Sequence, residues 1–202
     1  MAYNHFSLSD IDTKFNIKHR KISFLPNDFK EIIADKRLLD ELSDAIGMPL
    51  ASEKAKSELI VKPVLMALRR NNIDKISIFS GYTFDVDKEK KLMGRCDFMI
   101  ANEPYLEEVT SPMFCMVEAK KDALEDGFGQ CAAELYATKI FNERKNIVYP
   151  AIYGCITTGF SWVFLKLENN IILIEPFYIP LELKNPNKIL SVLQWIVEQY
   201  QK

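Results

Sequence analysis

The spacing of apolar residues along this chain changes from helical to alternating near residue 75. Before that point the pattern predicts two helices. Pro26-Asn27-Asp28 offers a cap and a first-turn acid, and Phe29, Ile32, Ile33, Leu39, Leu42 and Ile46 then mark one helical face. Gly47, Met48 and Pro49 stop it. A second helix is predicted from Ser52 toward Arg70, with Leu59, Ile60, Val64, Leu65 and Leu68 toward a core. Pro63, which lacks an N–H, should kink or interrupt it.

Beyond residue 75 the period is two. Ile76 and Ile78, then Tyr82, Phe84 and Val86, alternate with polar neighbours, as a strand requires. Leu92 to Ala101 and Met113 to Lys120 read as the next strands, and the polar stretch 102–112, with Pro104 and Pro112, suits an antiparallel connection. Gly127 to Asn146 reads as a helix whose Ala132, Ala133 and Ala137 let it lie close on a sheet. Ala151 to Thr158, Phe160 to Leu167 and Ile171 to Ile179 are predicted strands. Asn169-Asn170 supplies the positive φ values of a tight hairpin, and Ile189 to Tyr200 forms a final amphipathic helix. This order predicts a mixed α/β sandwich rather than a doubly wound fold.

At 202 residues, 48% hydrophobic and 27% charged, the chain suits one domain able to bury a core. A net charge of -2 argues against a uniformly basic coat but leaves room for a local basic groove. Basic clusters occur at Lys18-His19-Arg20-Lys21, Arg69-Arg70, Lys88 to Lys91 and Lys120-Lys121, each also readable as solvated surface. Cys96, Cys115, Cys131 and Cys155 lack paired metal-ligand spacing and read as buried free thiols of a reducing compartment. No signal-peptide pattern precedes them and no apolar run approaches the ~20 residues of a membrane span, so a cytoplasmic chain with no membrane partner is expected. His5 and His19 lie in a polar lead-in and suit surface or structural roles.

The candidate chemistry sits on two predicted strands. Phe114, Met116, Glu118 and Lys120 share one face of the third, so Glu118 and Lys120 are neighbours, with the Ala119 carbonyl close by. The second strand carries Asp97 beside Phe98, Met99 and Ile100, where a carboxylate is costly without a partner. Two carboxylates suit Mg²⁺ or Mn²⁺ with several waters retained, and Lys120 would stabilise charge developing on phosphorus or help orient the attacking water. A plain Glu118–Lys120 salt bridge at a strand end meets the same spacing. Glu58 lies mid-helix, as a third acid for the site or as an i,i+4 partner of Lys62. Gln130 and Glu134 lie one turn apart on the following helix, as site residues or as surface polarity. Trp162, alternating with Phe160 and Phe164, reads as core rather than as a base-stacking residue, and Trp195 as core or part of a self-association patch.

Ser57-Glu58, Gly94-Arg95-Cys96-Asp97-Phe98, Val117-Glu118-Ala119-Lys120-Lys121 and Gly129-Gln130-Cys131-Ala132-Ala133-Glu134, in that order, resemble the PD-(D/E)xK nuclease superfamily. The run from Val117 through Gln130 resembles the nuclease portion of type I restriction enzyme R subunits and small stand-alone relatives. The resemblance covers roughly residues 52–178. It leaves 1–50 as an extension with one helix and 188–202 as a C-terminal helix of the same single domain. Cys96 stands where the motif often has proline. The resemblance implies a restriction-endonuclease-like core, αβββαβ in order, with a central mixed sheet flanked by helices. It implies metal held by Asp97, Glu118, the Ala119 carbonyl and Glu58, with Lys120 the catalytic lysine and Gln130 lining the site. The expected function is Mg²⁺- or Mn²⁺-dependent hydrolysis of DNA in restriction, repair or defence. The alternative is a catalytically silent nuclease-fold module for nucleic-acid binding or protein interaction. The chain has no phosphate-binding Gly-x-x-x-x-Gly-Lys-[Ser/Thr] loop and no recognition module, so a translocase or specificity function would come from a separate partner. A homodimer fits the superfamily. Lys88, Lys90 and Lys91 sit on a predicted turn where they are turn charges or phosphate contacts.

Overall fold

The computed structural model describes residues 3–110, 113–120 and 123–201, apart from the side chains of Phe114, Cys115 and Met116. The predicted contacts of Phe114 and Met116, the burial of Cys115, and the roles of Pro112 and Lys121 therefore lie outside the described residues.

A single mixed sheet organises the molecule. Its strands are β1 (Lys18–Lys21), β2 (Ser77–Thr83), β3 (Arg95–Ala101), β4 (Met113–Ala119), β5 (Ala151–Thr157), β6 (Ser161–Glu168), β7 (Ile171–Ile174) and β8 (Ile179–Pro180). They run in the order β1-β7-β6-β5-β4-β3-β2, with β8 paired to β6. The β1–β7 and β4–β5 pairs are parallel and the others antiparallel. Alternate residues of β5 and β6 point to opposite faces, as the pleat demands. Tyr153, Cys155, Trp162 and Phe164 pack with α2 (Lys36–Ala45), α4 (Lys62–Asn71) and α6 (Asn187–Glu198). Ile152, Ile156, Val163 and Leu165 pack with α1 (Leu8–Phe15) and α5 (Phe128–Glu143). The result is a central mixed sheet flanked by helices on both faces. Trp162 is fully buried, with its indole N–H on the Gly159 carbonyl, and Trp195 packs edge-on against Tyr153 and Phe29. The described cysteines Cys96, Cys131 and Cys155 are buried thiols that form no disulfide among the described residues. No helix among the described residues is long and apolar enough to cross a membrane.

Several predicted elements move. The first predicted helix starts at Lys36, not after Asp28, with Asp35 as its cap. Phe29 and Ile32 still reach the core, but from an extended segment. That segment is tied to α6, because the Ile32 N–H donates to Ser191 Oγ and the Ala34 N–H to Asn187 Oδ1. These tertiary bonds satisfy the backbone without a helix. The lead-in also contains α1, started by a Ser7–Asp10 capping box, and β1. The helix through Pro63 is interrupted, as predicted, by a π turn over Ser57–Val61 between α3 (Glu53–Lys56) and α4, in which the Lys62 N–H reaches back to the Ser57 carbonyl. Asn169 and Asn170 adopt the expected positive φ values of 50° and 58°.

The N-terminal segment is seated on α5 through a glycine. A Cβ on Gly129 would lie 1.9 Å from the Phe6 carbonyl oxygen, so only glycine lets the two backbones approach. Gly129→Ala should therefore destabilise the protein by roughly 2–3 kcal/mol through overpacking against rigid backbone. Urea denaturation measures this, and an unchanged midpoint would show that the segment is not locked there.

Candidate active site

β3 and β4 run antiparallel, so the start of β3 meets the end of β4. This brings Asp97 to the strand end that carries Glu118 and Lys120. Asp97 Oδ2 accepts the Ala119 N–H at 2.9 Å, which fixes the carboxylate against the backbone between those two residues. Lys120 Nζ donates to Glu118 Oε1 at 2.8 Å and to Gln130 Oε1 at 2.8 Å. Gln130 Nε2 in turn donates to Glu134 Oε1 at 3.1 Å. The chain of contacts thus runs from β3 through β4 onto the first two turns of α5. Gly127, just before α5, makes that approach close: a Cβ there would sit 2.8 Å from Ile156 and 3.2 Å from Lys120 Cε.

Glu118 is 3% exposed and Glu134 is fully buried. Glu118 Oε2 and Glu134 Oε2 have no partner among the hydrogen bonds of the cluster. Burial pushes the Glu118 carboxyl up, reinforced by Glu134 and Asp97 and opposed by Lys120. Burial likewise pushes Glu134 up to about 8, with Gln130 opposing and Asp97 adding to the shift. For Asp97, burial outweighs the Ala119 N–H and Lys120, and the direction is again up. Burial disfavours the Lys120 ammonium, but the charge and hydrogen bond of Glu118 overcome it, so its pKa rises. Three acids around one ammonium thus retain a proton at neutral pH. We assign it to Glu134, the glutamate with no bonded cation. The neighbouring Cys96 thiol is pushed up by burial and by Glu134, and stays protonated.

Of the predicted site residues, Asp97, Glu118, Ala119, Lys120 and Gln130 are gathered together. Glu58 is not part of the buried cluster. It is exposed on the π turn, 3.9 Å from Lys54 rather than paired as an i,i+4 partner of Lys62. It faces the site only across an open cleft of about 440 Å³, shared with Glu53, Lys54, Ser57, Lys62, Ser80, Gly81, Arg95, Asp97 and Phe98. The plain ion-pair expectation for Glu118 and Lys120 is also met. An ion pair alone leaves the Gln130–Glu134 extension and the Asp97–Ala119 contact unexplained. Glu134, read from its i,i+4 spacing with Gln130 as a site residue or as surface polarity, joins the cluster. One contributor escaped the sequence reading as a site residue. Glu53, whose charge acts on Lys120, reads in sequence only as a first-turn acid after the Ser52 cap.

The donors fit a hard divalent cation. They are carboxylate oxygens and a backbone carbonyl, and one buried Glu118 oxygen lacks a fixed donor. Among the described residues, no group of three or more His, Cys, Asp or Glu is placed to hold a metal ion. A site here would rest on Asp97, Glu118 and the Ala119 carbonyl, completed by water, as Mg²⁺ prefers. Comparison with protein-family models and with curated proteins gives no match.

Glu134 generates a pH prediction. Its folded pKa of about 8 exceeds its ordinary value of 4.5. Between those values the native state holds a proton that the unfolded chain has released, so stability falls as pH rises through the window. The upward shift of Glu118 has the same sign. In metal-free buffer, Glu134→Gln should flatten the wild-type decline between about pH 5 and 8 by an amount on the order of a few kcal/mol. Chemical denaturation across that range measures it, and parallel curves for the two proteins would contradict the assignment.

Proposed function

We propose that this protein is a metal-dependent nuclease of the PD-(D/E)xK type that hydrolyses phosphodiester bonds of DNA. The observation that carries the reading is the buried Glu118–Lys120–Gln130–Glu134 chain, with Asp97 docked on the Ala119 N–H beside it. The strand and helix order from α3 through β5 also agrees with a restriction-endonuclease-like core. Asp97, Glu118 and the Ala119 carbonyl would hold Mg²⁺ or Mn²⁺, completed by water; Glu58, exposed across the cleft, is not a ligand in this arrangement. When bound, the cation supplies Lewis-acid polarisation of a phosphoryl oxygen and lowers the pKa of water.

The chain's own residues supply the remainder. Asp97 is oriented by its bond from the Ala119 N–H. Lys120 is held charged by Glu118 and steadied by the Gln130 oxygen, so it meets negative charge developing on phosphorus without reorganisation. Gln130 fixes the lysine by accepting from it while donating to Glu134. Ile156, which shares the space beside Gly127 with the Lys120 side chain, is fully buried, and Glu118 and Glu134 are buried with it, which strengthens each of these charge interactions.

Labelled single- and double-stranded DNA incubated with Mg²⁺ or Mn²⁺ tests the proposal. Wild type should cleave and Glu118→Ala should be inactive, while Lys120→Ala should cleave about 10²–10³-fold more slowly. Products that are identical for wild type and Glu118→Ala would overturn the assignment of the site.

A further inference from the structure

The open cleft beside Asp97 carries a cation whose position depends on an absent side chain. β2 is an outer strand of the sheet, and its pairing sets Ser80 opposite Phe98 and Tyr82 opposite Cys96, so Gly81 stands opposite Asp97. Gly81 has φ +69°, and a Cβ there would lie 2.6 Å from Nη2 and 3.1 Å from Nε of Arg95. The guanidinium therefore occupies the space that any other residue at position 81 would fill. Arg95 is exposed and lines the cleft. Its charge is felt by Asp97, yet among the described residues it makes no ion pair and no side-chain hydrogen bond.

Two further cations, Lys54 and Lys62, line the same cleft from the α3 side, both exposed. Their acidic neighbours Glu53, Glu58 and Asp97 bring the lining close to neutrality. A divalent cation at Asp97 would leave it net positive. Arginine's planar fork suits a phosphodiester, which presents two non-bridging oxygens. Lys54 and Lys62 provide point charges for phosphates further along a strand.

We infer that Arg95, with Lys54 and Lys62 across the cleft, grips the phosphate backbone of the nucleic-acid strand next to the bond that is cut, and that Gly81 is what leaves its guanidinium in place to do so. The inference rests on the nuclease reading and adds a substrate-positioning role to residues outside the acid–lysine cluster. The recognition is of backbone phosphates, not bases, so it is sequence-independent.

The test is fluorescence anisotropy of a fluorescein-labelled DNA strand and its duplex, with Ca²⁺ in place of Mg²⁺ so that binding is read apart from cleavage. Arg95→Ala should weaken binding about tenfold and reduce the salt slope by about one, the signature of one lost phosphate contact. Arg95→Lys should fall between the two. Gly81→Ala should reproduce much of the Arg95→Ala loss while keeping the arginine. Lys184→Ala, which removes a cation that does not line the cleft, should bind as wild type. Circular dichroism melts establish that each variant is folded. If wild type binds DNA and folded Arg95→Ala binds as Lys184→Ala does, the inference is overturned and the nuclease reading stands. If wild type binds neither form of DNA, the nuclease reading falls and the inference falls with it.

Discussion

Glu118, near the end of a central strand, has 3% of its surface in contact with solvent, and burying an ionised carboxylate costs several kcal/mol unless it is paired and hydrogen-bonded. The surrounding architecture answers that cost. β4 turns Lys120 back onto Glu118, α5 lies close enough for Gln130 and Glu134 to extend the contact, and β3 sets Asp97 on the intervening peptide. Small residues make the close approach of α5 feasible: Gly127 against Lys120 and Ile156, and Gly154 beneath Cys131 and Leu135. Such a cluster is an expensive way to join a helix to a sheet. Apolar residues of the same size would join them as well or better, so stability alone does not account for the cluster.

The two faces of the sheet serve different ends. The α2–α4–α6 face is an apolar core around Trp162 and Phe164, crossed by a buried polar link between Asn72 and Gln194. The α5 face combines an apolar core with the acid–lysine cluster at one end. The π turn over Ser57–Val61 packs Ile60 and Val61 into the α2–α4–α6 core while its Glu58 lines the open cleft shared with Arg95 and Asp97. Loss of regular hydrogen bonding ahead of Pro63 thus coincides with the place where the helix borders the candidate site.

Much of this was legible in the sequence where periodicity reflects burial. β5 and β6 read as near-continuous apolar runs because helices cover both faces of the sheet there, and Asn169-Asn170 marks the hairpin between β6 and β7 through backbone conformation alone. β1 was not legible: Lys-His-Arg-Lys is exposed at every position, so it has no apolar period and is a strand only because it pairs with β7. The false helix start after Asp28 has a related cause. Phe29 and Ile32 have helical spacing, yet Ser191 and Asn187 hold their backbone extended against α6. In the site, Asp97, Glu118 and Lys120 were found because charged residues inside apolar strands stand out. Glu134 was legible only as one of two readings, site or surface, because the choice depends on how α5 lies over β4; Arg95 was given no role, because its significance comes from the glycine across the strand pair.

The central claim is that Asp97 and Glu118 together hold a divalent cation. Mn²⁺ binding, followed by the loss of its free-ion electron paramagnetic resonance signal, tests that claim without reference to cleavage. The account predicts saturable binding by wild type, binding retained in Lys120→Ala, and binding lost in folded Asp97→Ala and Glu118→Ala. Equal Mn²⁺ binding by wild type and both carboxylate variants would contradict it.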